Sequence, residues 1–368
     1  MRNTYRPKCF LETLIYFIII PTISPQDWLR QGSAKVLLDV RSPGEFAHGH
    51  WPGARNLPLF SNEERAEVGT LYKQTSPDAA FLRGLEFVGQ KMRWYVEEAR
   101  RLAPEGKVVL HCWRGGQRSQ SMAWLLAKAL PEVTVIEGGY KALRHAGRAL
   151  IAGLSRPLWI LGGPTGAGKT KVLYALREQG ATVIDLEEMA HHKGSSFGAL
   201  GEAPQPTVEQ FENDIFAAFA GLENSDEPIW LENESRSIGR VYLPNELWEL
   251  MTHAALVQLA IPQDWRIENL VTDYASYPVE ELIDAFNRIG KRLGGQHVKA
   301  ATEAVQAGDF ATAAAIALRY YDKAYQGSLE KNGQQPLFSL TPTDNNPNHQ
   351  ATQLLNAQRN WSRNKSET

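Results

Sequence analysis

Cysteine is scarce in this chain: there are two in 368 residues, Cys9 and Cys112. Thiols so far apart make no disulfide framework and point to a reducing, cytoplasmic setting. An excess of charge of one sign is also lacking. Thirty-nine Lys and Arg stand against 41 Asp and Glu, a formal net charge of -2. That excludes a generally cationic coat for nucleic acid and confines any such surface to a local patch. Long apolar runs are missing too. The run Leu14 to Ile20 follows a basic start and resembles a weak secretion signal. Glu12 interrupts its approach, however, and no small-residue cleavage site follows it. It is far too short to span a bilayer as a helix, so no membrane association is expected. No internal repeat is visible.

What remains is an ordinary globular composition, long enough for two domains. Lys35 to Val40 (KVLLDV) and GKVVLHC, ending at Cys112, are short apolar runs of the kind buried on both faces of a sheet. Between them lie the turn-rich stretch RSPGEFAHGHWPGARNLP and a helical region over 79–102. SMAWLLAKAL is a helix after the thiol, and VTVIEGGY is a strand stopped by glycines. KALRHAGRALIAGL reads as an amphipathic connecting helix. A second set follows: strand PLWIL, a glycine loop, helix, strand ATVIDLE, a helix over 207–222, strand PIWLEN and strand ALVQLAIP. Residues 264–327 read as largely helical. Strands alternating with helices predict an α/β protein with parallel sheets in both halves. The boundaries expected are an extension at 1–24, a first domain at 25–145, a connecting helix at 146–155 and a second domain at 156–342. The polar stretch 343–368 shows no core pattern and is expected to be disordered.

The first chemical motif is HCWRGGQRS, residues 111–119. Cys112 stands at the foot of a strand, and the loop Arg114, Gly115, Gly116, Gln117, Arg118 leads into a helix. Such a loop turns backbone N–H groups and a helix dipole toward one point, which favours an anion and a thiolate there. Arg114 and Arg118 add forked donors for an oxyanion. The spacing Cys-x5-Arg serves both chalcogen transfer and phosphate-ester cleavage, with the cysteine as nucleophile in each. The bland alternative is a buried, inert cysteine. His111 is read as a packed side chain, in preference to a base.

The second motif is GPTGAGKT: Gly163, Pro164, Thr165, Gly166, Ala167, Gly168, Lys169 and Thr170. It fits G-x-x-x-x-G-K-[ST] between a strand and a helix, the setting of a phosphate-binding P-loop. Lys169 would reach the outer phosphates and Thr170 would ligate Mg²⁺. Asp185 and Glu232, each at a strand end, are candidates for an acid on the metal side. Strand-end acids also cap helices, and that alternative stays open. HHKGSSFG (191–198) is either an acceptor-binding loop or a solvated one.

DVRSPGEFAHGHWPGARNLP and EGGYKALR resemble the signatures of rhodanese domains. Joined to a P-loop domain, and with EVGTLYKQ, HCWRGGQRSQ, DLEEMAHHKGSSFG and ENESRSIGR, they resemble the tRNA 2-selenouridine synthase family over about 35–327. The resemblance implies replacement of sulfur by selenium at C2 of the wobble 2-thiouridine (U34) of Lys, Glu and Gln tRNAs. Selenophosphate would be the donor, and a selenophosphate-producing enzyme a partner. It implies an S-geranyl intermediate made from geranyl diphosphate, held in the P-loop in place of ATP. Cys112 would carry selenium as a perselenide. No tightly bound cofactor is implied beyond Mg. The family pattern has an acid where Asn233 stands, and some relatives carry a cysteine where Leu71 stands. The first departure weakens paired carboxylates there, and the second leaves Cys112 without a resolving partner. For tRNA, Arg288, Lys291, Arg292 and Lys299 are the phosphate-contact candidates. The aromatics of LRYYDKAY are candidates for stacking on splayed bases, and solvated or core positions are the alternative. Two other readings stand beside this one: a sulfurtransferase fused to a small-molecule kinase, and a nucleotide-gated sulfur relay.

Overall fold

The computed structural model describes residues 20–32, 34–222, 225–332 and 335–366. Two compact units meet in the chain between Gly147 and Arg148. The first holds a wholly parallel sheet of β1 (Thr22–Ile23), β2 (Val36–Asp39), β3 (Arg55–Asn56), β4 (Lys107–His111) and β5 (Glu132–Ile136), in the order β1-β5-β4-β2-β3. Helices α1 (Pro25–Gln31), α2 (Pro43–His48), α3 (Asn62–Gln74), α4 (Pro77–Gly89), α5 (Met92–Leu102), α6 (Gln117–Leu126) and the start of α7 (Gly139–Ala152) accompany it. Leu38, Val108, Leu110 and Val135 are buried with Tyr95, Ala99, Met122 and Leu126 from the helices. The unbroken apolar runs therefore mark strands covered by packed side chains.

Two local details depart from the sequence reading. Thr22 and Ile23 pair with Val135 and Ile136, so the sheet begins ahead of residue 25. The basic start and nearly all of the apolar run before Ile20 lie outside the described residues. The turn-rich stretch and the segment after it also hold two helices, α2 and α3. Ser42 with Glu45, and Ser61 with Glu64, form capping boxes at their starts. Each cap satisfies backbone N–H groups left open by the first turn and stabilises by about 1 kcal/mol.

The second unit has five parallel strands, β6 (Leu158–Gly162), β7 (Thr182–Val183), β8 (Ile229–Glu232), β11 (Ala255–Leu259) and β12 (Phe338–Leu340), ordered β12-β11-β6-β8-β7. A separate antiparallel hairpin joins β9 (Ser237–Ile238) to β10 (Val241–Tyr242). Helices α8 (Lys169–Glu178), α9 (Leu186–Ala190), α10 (Val208–Ala220) and α11 (Asn245–His253) come between these strands. Between β11 and β12 stand α12 (Gln263–Tyr274), α13 (Val279–Arg288), α14 (Gly290–Leu293), α15 (Gly295–Gln306) and α16 (Phe310–Asn332). These five helices share a core of their own with Phe197 and Leu200. The central strand β6 connects past β8 on one side, and β11 lies on its other side. The loop leaving β6 thus opens at a topological switch point, where ligands of parallel sheets bind.

The polar stretch expected to be disordered is instead helix α17 (Pro347–Ser366), packed on α8. Its apolar stripe is thin, which is why it escaped notice. Ala351 and Leu354 are fully buried, Trp361 meets Trp159 edge-on at 5.5 Å, and Gln358 Oε1 accepts from the indole Nε1 of Trp230 at 3.2 Å. Trp230 needs a polar partner in that interior, and a glutamine in a polar run supplies it.

Candidate functional site

The thiol loop leaves β4, the middle strand of the first sheet, and enters α6. Cys112 is 3% exposed. Its surroundings are nevertheless polar on one side: Ser119 Oγ donates to Sγ at 3.3 Å, and Gly116 O lies 4.0 Å away. Gly115 adopts φ +66°, and a side chain there would press on the backbone of Ile136, Gly138 and Gly139. A Cβ on Gly139 would collide with Cys112 O and Gly115 N. The EGGY segment therefore braces the thiol loop backbone to backbone, and Tyr140 N donates to Cys112 O at 2.9 Å. Only glycine permits so close an approach.

Of the two arginines, Arg114 is exposed, as are Gly116 and Gln117. Arg118 Nη1 donates to Glu45 Oε2 at 2.8 Å, and Arg65 Nε stands 3.6 Å from the same oxygen. Burial would raise the Glu45 carboxyl, but the Arg118 hydrogen bond and charge outweigh it and hold the group below the usual range. One floor below, Asp39 and Arg41 form a fully buried, forked pair, with Arg41 Nη2 2.6 Å from Asp39 Oδ2. Arg41 also lies 3.7 Å over the Tyr140 ring. His111 is fully buried, stacked on Tyr140. Burial holds its imidazole below the usual value. It is a packed residue, as expected, and does not reach the thiol loop's surface.

The glycine loop Gly163–Gly168 runs from β6 into α8. Gly168 has φ +72° as the residue capping α8, a left-handed turn natural to glycine. Lys169 Nζ lies 3.3 Å from Glu232 Oε1. Thr170 Oγ1 donates to Glu232 Oε2 at 3.0 Å, and Glu187 Oε2 is 3.3 Å away. Glu234 completes the group: one oxygen from each of Glu187, Glu232 and Glu234 lies within 4.8 Å of the others. β8 ends at Glu232, and a tight turn in which Glu234 N donates to Glu232 O at 2.9 Å brings the two acids to one place. Asn233, at the position where an acid was expected, hydrogen-bonds Tyr325, and the paired carboxylates exist without it.

Three carboxylates, two buried and one partly buried, repel in one place. Burial, then Glu232 and Glu234, push the Glu187 carboxyl up to about 10. Burial and Glu232 push Glu234 up to about 8. The Lys169 ammonium offsets part of this, and protons or a metal cation would offset the rest. All available donors are hard oxygens, Thr170 included, so the residues fit Mg²⁺. Asp185 is not among them. Its Oδ1 accepts from Glu188 N at 2.9 Å as the N-cap of α9, the alternative role for a strand-end acid. Glu187, two residues on, was missed because neither spacing nor composition marks one acid in LEEMA above its neighbour.

Beside the P-loop lies a narrow apolar cleft of about 70 Å³. Thr165 belongs to both. The walls are Leu270, Val271 and Tyr274 of α12, Leu282 and Phe286 of α13, and Ala313, Ala314 and Ala317 of α16. Ser195 and Phe197 of the HHKGSSFG loop line it too. Three hydrogen bonds tie this helical region to the P-loop: Tyr325 Oη accepts from Gly163 N at 2.9 Å, Arg266 Nε donates to Thr165 O at 2.8 Å, and Asn269 Nδ2 donates to Gly166 O at 3.0 Å. The cleft was not foreseen, since its walls come from segments 75 to 150 residues from the P-loop or the loop after β7.

The basic tRNA candidates sit on α13 to α15. Arg288 Nη2 donates to Ser196 O at 2.8 Å, Arg292 Nη1 donates to Tyr320 Oη at 3.2 Å, and Lys299 faces Glu303 at 3.9 Å. Those three and Lys291 are exposed. Tyr325 serves the P-loop, and Tyr321 lines the cleft.

Comparison with known proteins matches both units. The family description "tRNA 2-selenouridine synthase AAA domain" covers residues 156–352, and "Rhodanese-like domain" covers residues 25–146. The tRNA 2-selenouridine synthase of Nitrosomonas europaea is 32% identical, over 82% of this chain and 91% of that one. That of Sulfurovum sp. is 35% identical over 82% and 91%, and that of Cronobacter sakazakii 38% over 82% and 89%. Among the described residues, no helix is long and apolar enough to cross a membrane.

Proposed function

Since the chain belongs to the tRNA 2-selenouridine synthase family, we propose that it replaces sulfur by selenium at C2 of the wobble 2-thiouridine of tRNA in two steps, one in each unit. It is an enzyme of tRNA modification and a transferase, and its family takes selenophosphate as a substrate.

In the first step the P-loop grips the diphosphate of geranyl diphosphate. The thiocarbonyl sulfur forms a bond to C1 of the geranyl group while the C1–O bond breaks. Diphosphate leaves with that electron pair, and the N3 proton of the base is lost. Lys169 and the loop N–H groups stabilise the charge that gathers on the leaving oxygens. A Mg²⁺ held by Thr170 and the carboxylates around it would add to that neutralisation. The gain is chemical: an alkylated sulfur is a far better leaving group at C2 than a thiocarbonyl.

In the second step selenophosphate held in the Cys112 loop forms a Se–C2 bond as the C2–S bond breaks and the geranyl sulfur departs as a thiol. Water then takes the phosphoryl group, the P–Se bond breaks and phosphate leaves. Selenium stays at the selenide level throughout. Arg118 takes the phosphate end of selenophosphate, which requires it to exchange Glu45 for the ligand. The exposed Arg114 is free to close from outside. The tRNA of this reading is a Lys, Glu or Gln isoacceptor, its phosphates met by Arg288, Lys291, Arg292 and Lys299, and the selenophosphate comes from a separate enzyme.

The observation that carries the geranyl step is the continuity of P-loop and apolar cleft at Thr165. A nucleotide base needs hydrogen-bonding partners, and these walls offer few; an isoprenoid tail needs none. The test is Cys112→Ala with geranyl diphosphate, selenophosphate and thiolated tRNA, read by mass spectrometry of the nucleoside. Alkylation is expected to persist and selenation to stop. Persistence of both would remove the thiol from the mechanism.

A further inference from the structure

Resting on the geranyl reading, we infer that the cleft is a length gauge: Phe310 is the stop that fits the tail to ten carbons, and the alanines of α16 keep the channel open up to it. The near end is fixed by contacts to the P-loop. Tyr325 Oη holds Gly163 N, and Arg266 bonds both Thr165 O and Asp322. Residues 322–325 of α16 therefore stand beside the P-loop. Running backward along that helix, the wall is Tyr321, Ala317, Ala314, Ala313 and finally Phe310. Tyr321, Ala317, Ala314 and Phe310 follow at spacings of three to four residues, which keeps them on one face, and Ala313 borders it.

The helix rise sets the scale. Tyr321 and Phe310 are eleven residues apart, about 16 Å along the axis. If each aromatic side chain takes roughly 3 Å, about 10 Å of channel remains, by the same geometry. The eight-carbon backbone of a geranyl group extends to about 9 Å, at about 1.25 Å gained per C–C bond. A further isoprene unit would need about 5 Å more on that basis and would meet the Phe310 ring. A bulky side chain at Ala317, about 6 Å from Tyr321 along the axis, would leave room for five carbons only.

The experiment offers dimethylallyl, geranyl and farnesyl diphosphates in turn to the full chain with thiolated tRNA, and measures kcat/KM for S-alkylation. The unaltered protein should prefer the ten-carbon substrate. Phe310→Ala should raise the farnesyl-to-geranyl ratio at least tenfold. Ala317→Phe should lower the geranyl-to-dimethylallyl ratio at least tenfold. Opposite shifts from two substitutions guard against a general loss of folding, and selenation of pre-alkylated tRNA reports whether each variant is intact. If the unaltered protein alkylates with none of the three, the geranyl reading itself falls. If it alkylates and both variants keep its chain preference, the gauge alone is overturned.

Discussion

The hydroxyl of Tyr325 accepts the backbone N–H of Gly163 at 2.9 Å, joining the last turns of α16 to the first residue of the P-loop. The two residues are 162 positions apart. Phosphate-binding loops work through such N–H groups, so the tyrosine sets where the loop begins to curl. Tyr325→Phe should cost about 1 kcal/mol of stability, the net worth of one such bond, read by denaturant unfolding. It should also raise KM for the diphosphate substrate more than it lowers kcat. An unchanged KM would mean the tie is structural only.

The Glu187, Glu232, Glu234 cluster predicts a pH dependence. The Glu187 and Glu234 carboxyls are raised to about 10 and about 8, so the folded protein binds more protons than the unfolded chain. Stability without cation is then fullest below the ordinary carboxylate range and falls as pH rises toward those values. Mg²⁺ competes with the protons, so it should bind more tightly at pH 8.5 than at pH 6 and raise Tm more there. Glu187→Gln should flatten both trends in thermal unfolding with and without Mg²⁺. A slope identical to that of the parent would show the cluster is not responsible.

Arg118 and Glu45 give the second centre its own test. Arg118→Ala should abolish turnover of selenophosphate while leaving S-alkylation within about twofold, as a loss confined to one unit. Glu45→Gln frees the guanidinium and should lower KM for selenophosphate. The Glu45 carboxyl is held below its usual range, so its contribution to stability is present above that range and is lost as pH falls through its folded value. Normal selenophosphate turnover by Arg118→Ala would sink the oxyanion role of this residue.

For α17 the expected signature is energetic. Leu354 is fully buried among the residues that cover the second sheet. Leu354→Ala should destabilise by about 2–5 kcal/mol. Gln358→Leu should also destabilise, because it strands the Trp230 indole N–H. Urea unfolding curves unmoved by either change would mean the helix does not belong to the folded unit.

Binding to tRNA should weaken steeply with salt if the basic residues of α13 to α15 meet phosphates. Removing the four charges Arg288, Lys291, Arg292 and Lys299 should reduce the slope of log K against log salt by about 3, at roughly 0.7–0.9 per contact. Filter binding at several salt concentrations measures it. A slope equal to that of the parent would place the tRNA elsewhere.

The sequence by itself determined the two parallel sheets, the position of Cys112 at the foot of a central strand, and the P-loop. Each of those is local: an apolar run of strand length, followed by glycines that allow a backbone turn, is legible within a dozen residues. His111 as a packed side chain was legible for the same reason, since it continues a buried strand. Tertiary structure alone decided what long-range packing decides. It chose Glu187 over Asp185 as the partner of Thr170, because which acid faces a loop depends on where β7 and α9 sit beside α8. It paired Arg118 with Glu45, 73 residues away. It built the cleft from four helices and two loops, and it gave a polar tail a helix by offering Ala351, Leu354 and Gln358 a surface to cover. None of these has a local code, because a side chain's partner across the fold leaves no mark on the spacing of its neighbours.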